Sequence, residues 1–189
     1  MKQLTALNTF VLLLILNICN GQVQQEKRPI SEFEFESIFG YSLSDPYNIY
    51  SLLGTGYFRA PRSSNSDSLV AAWIESHPKA MVIPVSSQEK TGDNTSDTNF
   101  VYCWVIDESD TLNNYLVKNG CFHGSTMMRP QTYEEMEDWV KNLYTDSEKR
   151  PDVKVFVDKN SYNKFLEQVQ ASEQYARKNQ LGIWSEDLE

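Results

Sequence analysis

The chain has 189 residues, a formal net charge of −9 and 40% hydrophobic side chains. That length suits one domain with a real core. The acidic balance repels phosphate backbones and counts against non-specific nucleic-acid binding, which rests on Lys and Arg, although a local basic patch stays compatible with it.

Lys2, an apolar run from Phe10 to Ile18 and small residues before Gln22 read as a secretory signal peptide over 1–21, too short for a membrane span. Export places the protein outside the cell or in the periplasm. Asn17 and Ile18 stand where a lipoprotein signal needs a small residue before Cys19, which disfavours lipid attachment. No later segment has the roughly 18 apolar residues of a span. Residues 22–30 read as a mobile tail, and 31–189 as a single domain. Loss of the leader keeps Cys103 and Cys121. An oxidising compartment allows them to pair, and two separate buried thiols is the competing reading. Their spacing and the lack of His partners exclude a zinc site.

Phe33, Phe35, Ile38 and Phe39 fit a strand or a helical turn equally. Tyr47 to Phe58 reads as strand, turn, strand, with Gly54 and Gly56 at the bend. After a polar loop, Asp67 or Ser68 caps a helix carrying Leu69, Val70, Trp73 and Ile74, which Pro78 stops. Ala80 to Val85 is a buried strand, Ser86 to Asn99 a polar loop with a glycosylation acceptor at Asn94, and Phe100 to Ile106 a strong strand. Ser109 or Asp110 caps a helix with Leu112, Tyr115 and Leu116 inward, which Gly120 ends in a left-handed conformation. Cys121-Phe122 returns as a short strand. An insertion at about 124–157 follows. Within it, Thr132 and Glu135 form a capping box before Met136, Trp139, Val140 and Leu143, spaced as a buried stripe. Val153 to Val157 is an edge strand. Asp158 or Asn160 caps the last helix, whose Tyr162, Phe165, Leu166, Val169, Ser172 and Ala176 share one narrow face. It runs into Leu181-Gly182-Ile183-Trp184, an apolar plug with a flexible joint. Clustered short strands with interspersed helices give an α+β class, a small curled barrel closed by helices.

The tail, from Ser172-Glu173 through Ala176-Arg177-Lys178 to LGIWSED at 181–187, resembles the staphylococcal nuclease (thermonuclease-like) family. So does Tyr102 to Ile106 followed by Leu112-Asn113 and Leu116-Val117-Lys118-Asn119-Gly120. The resemblance covers about 69–123 and 160–187. It implies an OB-fold barrel with the long C-terminal helix packed beside it, and makes Gly120, Leu181, Ile183 and Trp184 fold-defining. It also implies calcium-assisted phosphodiester hydrolysis with metal-holding carboxylates, a Glu near the attacking water and two arginines on the phosphate. Here the chain departs from the family. The early Asp-Gly-Asp-Thr turn and the Val-Asp-x-Pro-Glu strand have no clean counterpart, and Asp97-Thr98-Asn99-Phe100 replaces Tyr-Gly-Arg.

The remaining candidates each have a bland alternative. Arg59 and Arg62 are candidate phosphate ligands or solvated loop arginines. Asp67 is a candidate metal ligand or a helix cap. His77, beside Pro78, reads as facing water. His123 near Cys121 invites a nucleophile–base pair without a visible third member. Glu134, Glu135, Glu137 and Asp138 fan around a solvated helix face. Trp73, Trp104, Trp139 and Trp184 read mostly as core rather than as a base-stacking platform. Met127 and Met128 either bind a partner or cover the open end of the barrel. The resulting reading is an exported, nuclease-like binding or scaffolding module with a degenerate active site and no cofactor, whose protein or ligand partner has no signature. One alternative is a divergent secreted nuclease that uses Ca2+ with Arg59, Arg62 and Asp67. Another is an envelope interaction module that uses residues 124–152.

Overall fold

The computed structural model describes residues 26–54, 62–89, 99–124, 127, 130–144 and 152–185. The leader, Cys19 and Asn94 lie outside them. The described strands form one sheet: β1 (Arg28–Pro29), β2 (Glu34–Glu36), β3 (Phe39–Ser42), β4 (Asp45–Ser51), β5 (Met81–Glu89), β6 (Asn99–Asp107), β7 (Asp110–Thr111) and β8 (Val153–Val155). The order is β1-β5-β6-β4-β3-β2, with β7 on β6 and β8 on β5.

β1 and β2 belong to one stretch of chain, separated by a 3-10 turn at Ile30–Glu32. The first part pairs with β5 and the second with β3. One segment therefore supplies both edges, and the sheet curls back on itself. β4 and β6 run parallel, from Asn48 opposite Asn99 to Ser51 opposite Tyr102. This is an α+β fold, an OB-like small barrel with a long helix beside it. Residues 28–30, expected in the tail, are thus part of the barrel. Ile30 is buried, and its N–H donates to Ala80 O at 2.8 Å.

Four α-helices complete the described fold: α1 (Ser66–Ser76), α2 (Leu112–Lys118), α3 (Asp138–Asn142) and α4 (Lys159–Lys178). The N-cap of α1 is Asn65, so Asp67 lies inside the first turn rather than at the cap. Thr111 occupies the N-cap of α2, because Asp110 and Thr111 pair with β6 as β7. Asp158 caps α4 as expected, its side chain accepting from the N–H groups of Asn160 and Ser161. Tyr162, Phe165, Val169, Ser172 and Ala176 form the buried stripe of α4, with Leu166 partly covered. Each large apolar side chain among them contributes about 1.5–3 kcal/mol as an upper bound.

Other expectations fail locally. Ser86 to Glu89 continues β5 instead of looping, because β6 pairs with it on one side and β8 pairs with Ser86 to Gln88 on the other. Cys121 and Phe122 form a bend rather than a strand. In the insertion, Glu135 does reach back to the Thr132 N–H at 3.1 Å. The helix nevertheless starts only at Asp138 and buries no residue, leaving Trp139 65% and Leu143 69% exposed.

Two devices position the helices, one against the barrel and one against each other. Where β4 and β6 part, the buried Asn113 carboxamide fills the gap. Its oxygen accepts from Val105 N–H at 3.0 Å, and its nitrogen donates to Leu52 O at 2.8 Å and Cys103 O at 3.0 Å. The second device is a contact between two glycines. Gly120 (φ +68°) ends α2 with its own N–H bonded to Val117 O and that of Cys121 bonded to Leu116 O, a Schellman closure. Gly182 (φ +55°) sits against it, and Ile183 N–H donates to Gly120 O at 2.8 Å. A Cβ on Gly120 would stand 1.9 Å from Leu181 O, and one on Gly182 would stand 2.2 Å from Gly120 O. Each position thus combines a backbone angle that favours glycine with an approach that only glycine permits. Gly120→Ala and Gly182→Ala are expected to lower unfolding free energy by about 2 kcal/mol or more, read from urea transitions with an unchanged slope.

Candidate functional site

Of the proposed phosphate and metal ligands, Arg62 and Asp67 do approach each other. Arg62 Nη1 lies 3.9 Å from Asp67 Oδ1 and donates to Ser37 Oγ at 2.8 Å. Both side chains are more than half exposed. Arg59 lies outside the described residues. Among the described residues, no three His, Cys, Asp or Glu side chains gather as a metal-holding group.

The cysteines are two separate buried thiols, which corrects the disulfide. Cys103 Sγ donates to Ser51 O at 3.5 Å inside the sheet. Cys121 follows the glycine that ends α2, and its carbonyl accepts from Ser63 N–H at 3.1 Å. Burial pushes both thiols up from their ordinary range. The His123 ring packs against Trp184 in a T-shaped contact with centroids 4.5 Å apart. Trp184 is only partly buried. The Arg177 guanidinium lies 3.5 Å over its ring, and Arg177 is tied through Glu173 to the Gly124 N–H. Met127 is buried and its carbonyl accepts from the Tyr162 hydroxyl, so it covers core. Met128 lies outside the described residues.

A polar cluster that the sequence reading missed lies where β1 meets the β3–β4 hairpin. Arg28 donates to Glu32 Oε2 at 2.8 Å, to Ser42 Oγ at 2.7 Å and to Ser44 Oγ. Its Nη1 is 3.5 Å from Asp45 Oδ2. Asp45 also accepts from Asn48 Nδ2 at 2.9 Å and from the Tyr50 hydroxyl at 2.6 Å. Burial, and the bond donated to Asp45, push the Tyr50 phenol up to about 12 against the pull of Arg28. The network pins the turn of the hairpin through Ser42, Ser44 and Asp45. The apolar side chains around that turn stay open: Leu43 is fully exposed, with Tyr47 66% and Tyr41 42% exposed on the same hairpin. Across the strand pair, exposed Glu34 stands opposite Tyr41.

A cleft of about 540 Å³ lies between α1 and α2, lined among others by His77, Asp110, Asn114, Tyr115 and Lys118. His77 does not simply face water. Its ring stacks on buried Trp73 at 4.0 Å and 12°. Trp73 and Trp104 are core, whereas Trp139 is not.

No known protein-family model matches the chain, and no curated protein does. A thiol titration checks the cysteine assignment. A chain of residues 22–189, kept free of reductant, is expected to show two reactive thiols in denaturant and none in the native state within the same labelling time.

Proposed function

We propose that this is an exported binding module on a nuclease-like barrel, acting by contact rather than by phosphodiester hydrolysis. The observation that carries this reading is the fully exposed Leu43, set between Tyr41 and Tyr47 on a hairpin whose turn Arg28 pins through Ser42 and Ser44. Exposed apolar groups on a fixed support mark an interaction surface more than a solvated loop. Counting the stretch 28–36 as the first strand of the barrel, β3 and β4 are the second and third. OB folds commonly bind on that face, a fold-level analogy. Glu34 and Glu36 flank it, and the net charge of −9 extends the same sign. The partner that fits is a polypeptide segment carrying apolar and basic side chains.

The second reading, contact through the insertion, has its own support in exposed Trp139 on α3 and exposed Leu143 at its C-cap. The calcium-dependent nuclease alternative has the Arg62–Asp67 approach.

A peptide of alternating Lys and Leu, titrated into the isotope-labelled domain, separates the three. The expected result is shifted amide resonances across 34–47. Affinity is expected to fall by about tenfold or more in a Tyr41→Ser, Leu43→Ser, Tyr47→Ser variant that keeps its unfolding midpoint. Shifts confined to 138–143 would move the contact to the insertion. Cleavage of a plasmid that needs calcium and disappears in an Arg59→Ala, Arg62→Ala variant would contradict the non-catalytic reading.

A further inference from the structure

The cleft between α1 and α2 has a chemistry that the hairpin reading does not use. His77 closes α1, and its Nδ1 lies 2.8 Å from Trp73 O and 2.9 Å from Ser76 Oγ. A carbonyl oxygen only accepts, so Nδ1 carries a proton. In the neutral ring, Nε2 then presents a bare lone pair. Asp110 Oδ2 stands 3.9 Å from that Nε2, too far for a direct hydrogen bond. The third polar group is Asn114, whose Oδ1 is buried and has no hydrogen-bond donor among the described residues. That oxygen has no exposed surface, so the groups left to face a ligand are His77 Nε2 and the Asp110 carboxylate.

The acceptors offered to the cleft are therefore an imidazole nitrogen and a carboxylate. The one cation among the lining residues, Lys118, is drawn aside. Its Nζ lies 5.3 Å from the centre of the Tyr175 ring on α4. Two acceptors 3.9 Å apart can both receive bonds of about 2.9 Å from a single nitrogen that carries several protons. Tyr115 adds a ring wall, against which an alkyl stem or a guanidinium plane can lie. A volume of about 540 Å³ holds a small organic ligand.

We propose that this cleft binds a small ligand through a protonated amine or guanidinium group, held between His77 Nε2 and the Asp110 carboxylate. Selectivity follows from the acceptor pair. A neutral hydroxyl donates to one acceptor at most and brings no charge to Asp110, and an anion meets the Asp110 carboxylate.

The test uses three probes of one length with the mature chain: butylammonium, butylguanidinium and butanol. Calorimetry and the ring resonances of His77 report binding. The expected result is that one or both cations bind, shift the His77 ring protons and compete with each other, while butanol does neither. The ratio of the two cation affinities tells which head group the cleft prefers. Asp110→Asn, at an exposed position, and His77→Phe, which keeps a ring against Trp73, are each expected to weaken cation binding by about tenfold or more with an unchanged unfolding midpoint. The proposal is overturned if butanol binds as well as the cations, if neither cation binds at millimolar concentration, or if Asp110→Asn leaves cation affinity unchanged.

Discussion

Two glycines in left-handed conformations, pressed backbone to backbone, tie the C-terminal segment of this protein to the end of α2. Gly120 stops α2, Gln180 (φ +52°) closes α4, and two residues on, Gly182 meets Gly120, where the Ile183 N–H joins them. The contact fixes where the end of α4 sits, and with it the alignment of the whole buried stripe from Tyr162 to Ala176. It also sets the Trp184 ring under Arg177 and beside His123. The plug works less by burying a large indole than by a backbone approach that no side chain can share. Leu181, Ile183 and Trp184 are all only partly covered.

The barrel is held from the other side by polar groups that satisfy one another. Asn113 meets three backbone groups where β4 and β6 part, and Arg28 meets the hairpin where β1 meets β3 and β4. Such networks stabilise only when complete. Both are rigid supports beside less satisfied regions. Next to Arg28 rises the open apolar tip at Leu43. One residue beyond Asn113, Asn114 lines the cleft, and its buried Oδ1 has no donor among the described residues. Satisfied scaffold next to unsatisfied surface is the arrangement expected where a fold carries binding rather than only holding itself together.

The parts of the fold that were legible in sequence are those in which local pattern and tertiary environment agree. The α4 stripe, the Asp158 cap, the strand around Tyr102 to Ile106 and the glycine end of α2 each announce themselves through periodicity or cap chemistry. The illegible parts depend on what lies across from them. Arg28-Pro29 looks like tail, since polar residues without alternation give no strand signal, yet Met81 and Val82 pair with them. Ser86 and Ser87 look like loop, yet they lie between two strands. Met136, Trp139, Val140 and Leu143 have helical spacing, but periodicity reports an amphipathic face and not a cover for it. The candidate sites were less legible than the fold. His77 and Asp110 are 33 residues apart in sequence, and only the packing of α1 against β7 and α2 brings them together. Arg62 and Asp67 were visible as residue types, and their approach across a short loop was within reach of sequence. Arg28 carried no signal once it was assigned to a tail.

The account rests most on the glycine contact, and amide hydrogen exchange at Ile183 tests it directly. The structure predicts that this N–H, donated to Gly120 O, is protected to a free energy close to that of the Val105 N–H, which Asn113 holds in the barrel. An Ile183 amide that exchanges like a free peptide while Val105 stays protected would mean that the plug is not docked, and that the alignment of α4 has another cause.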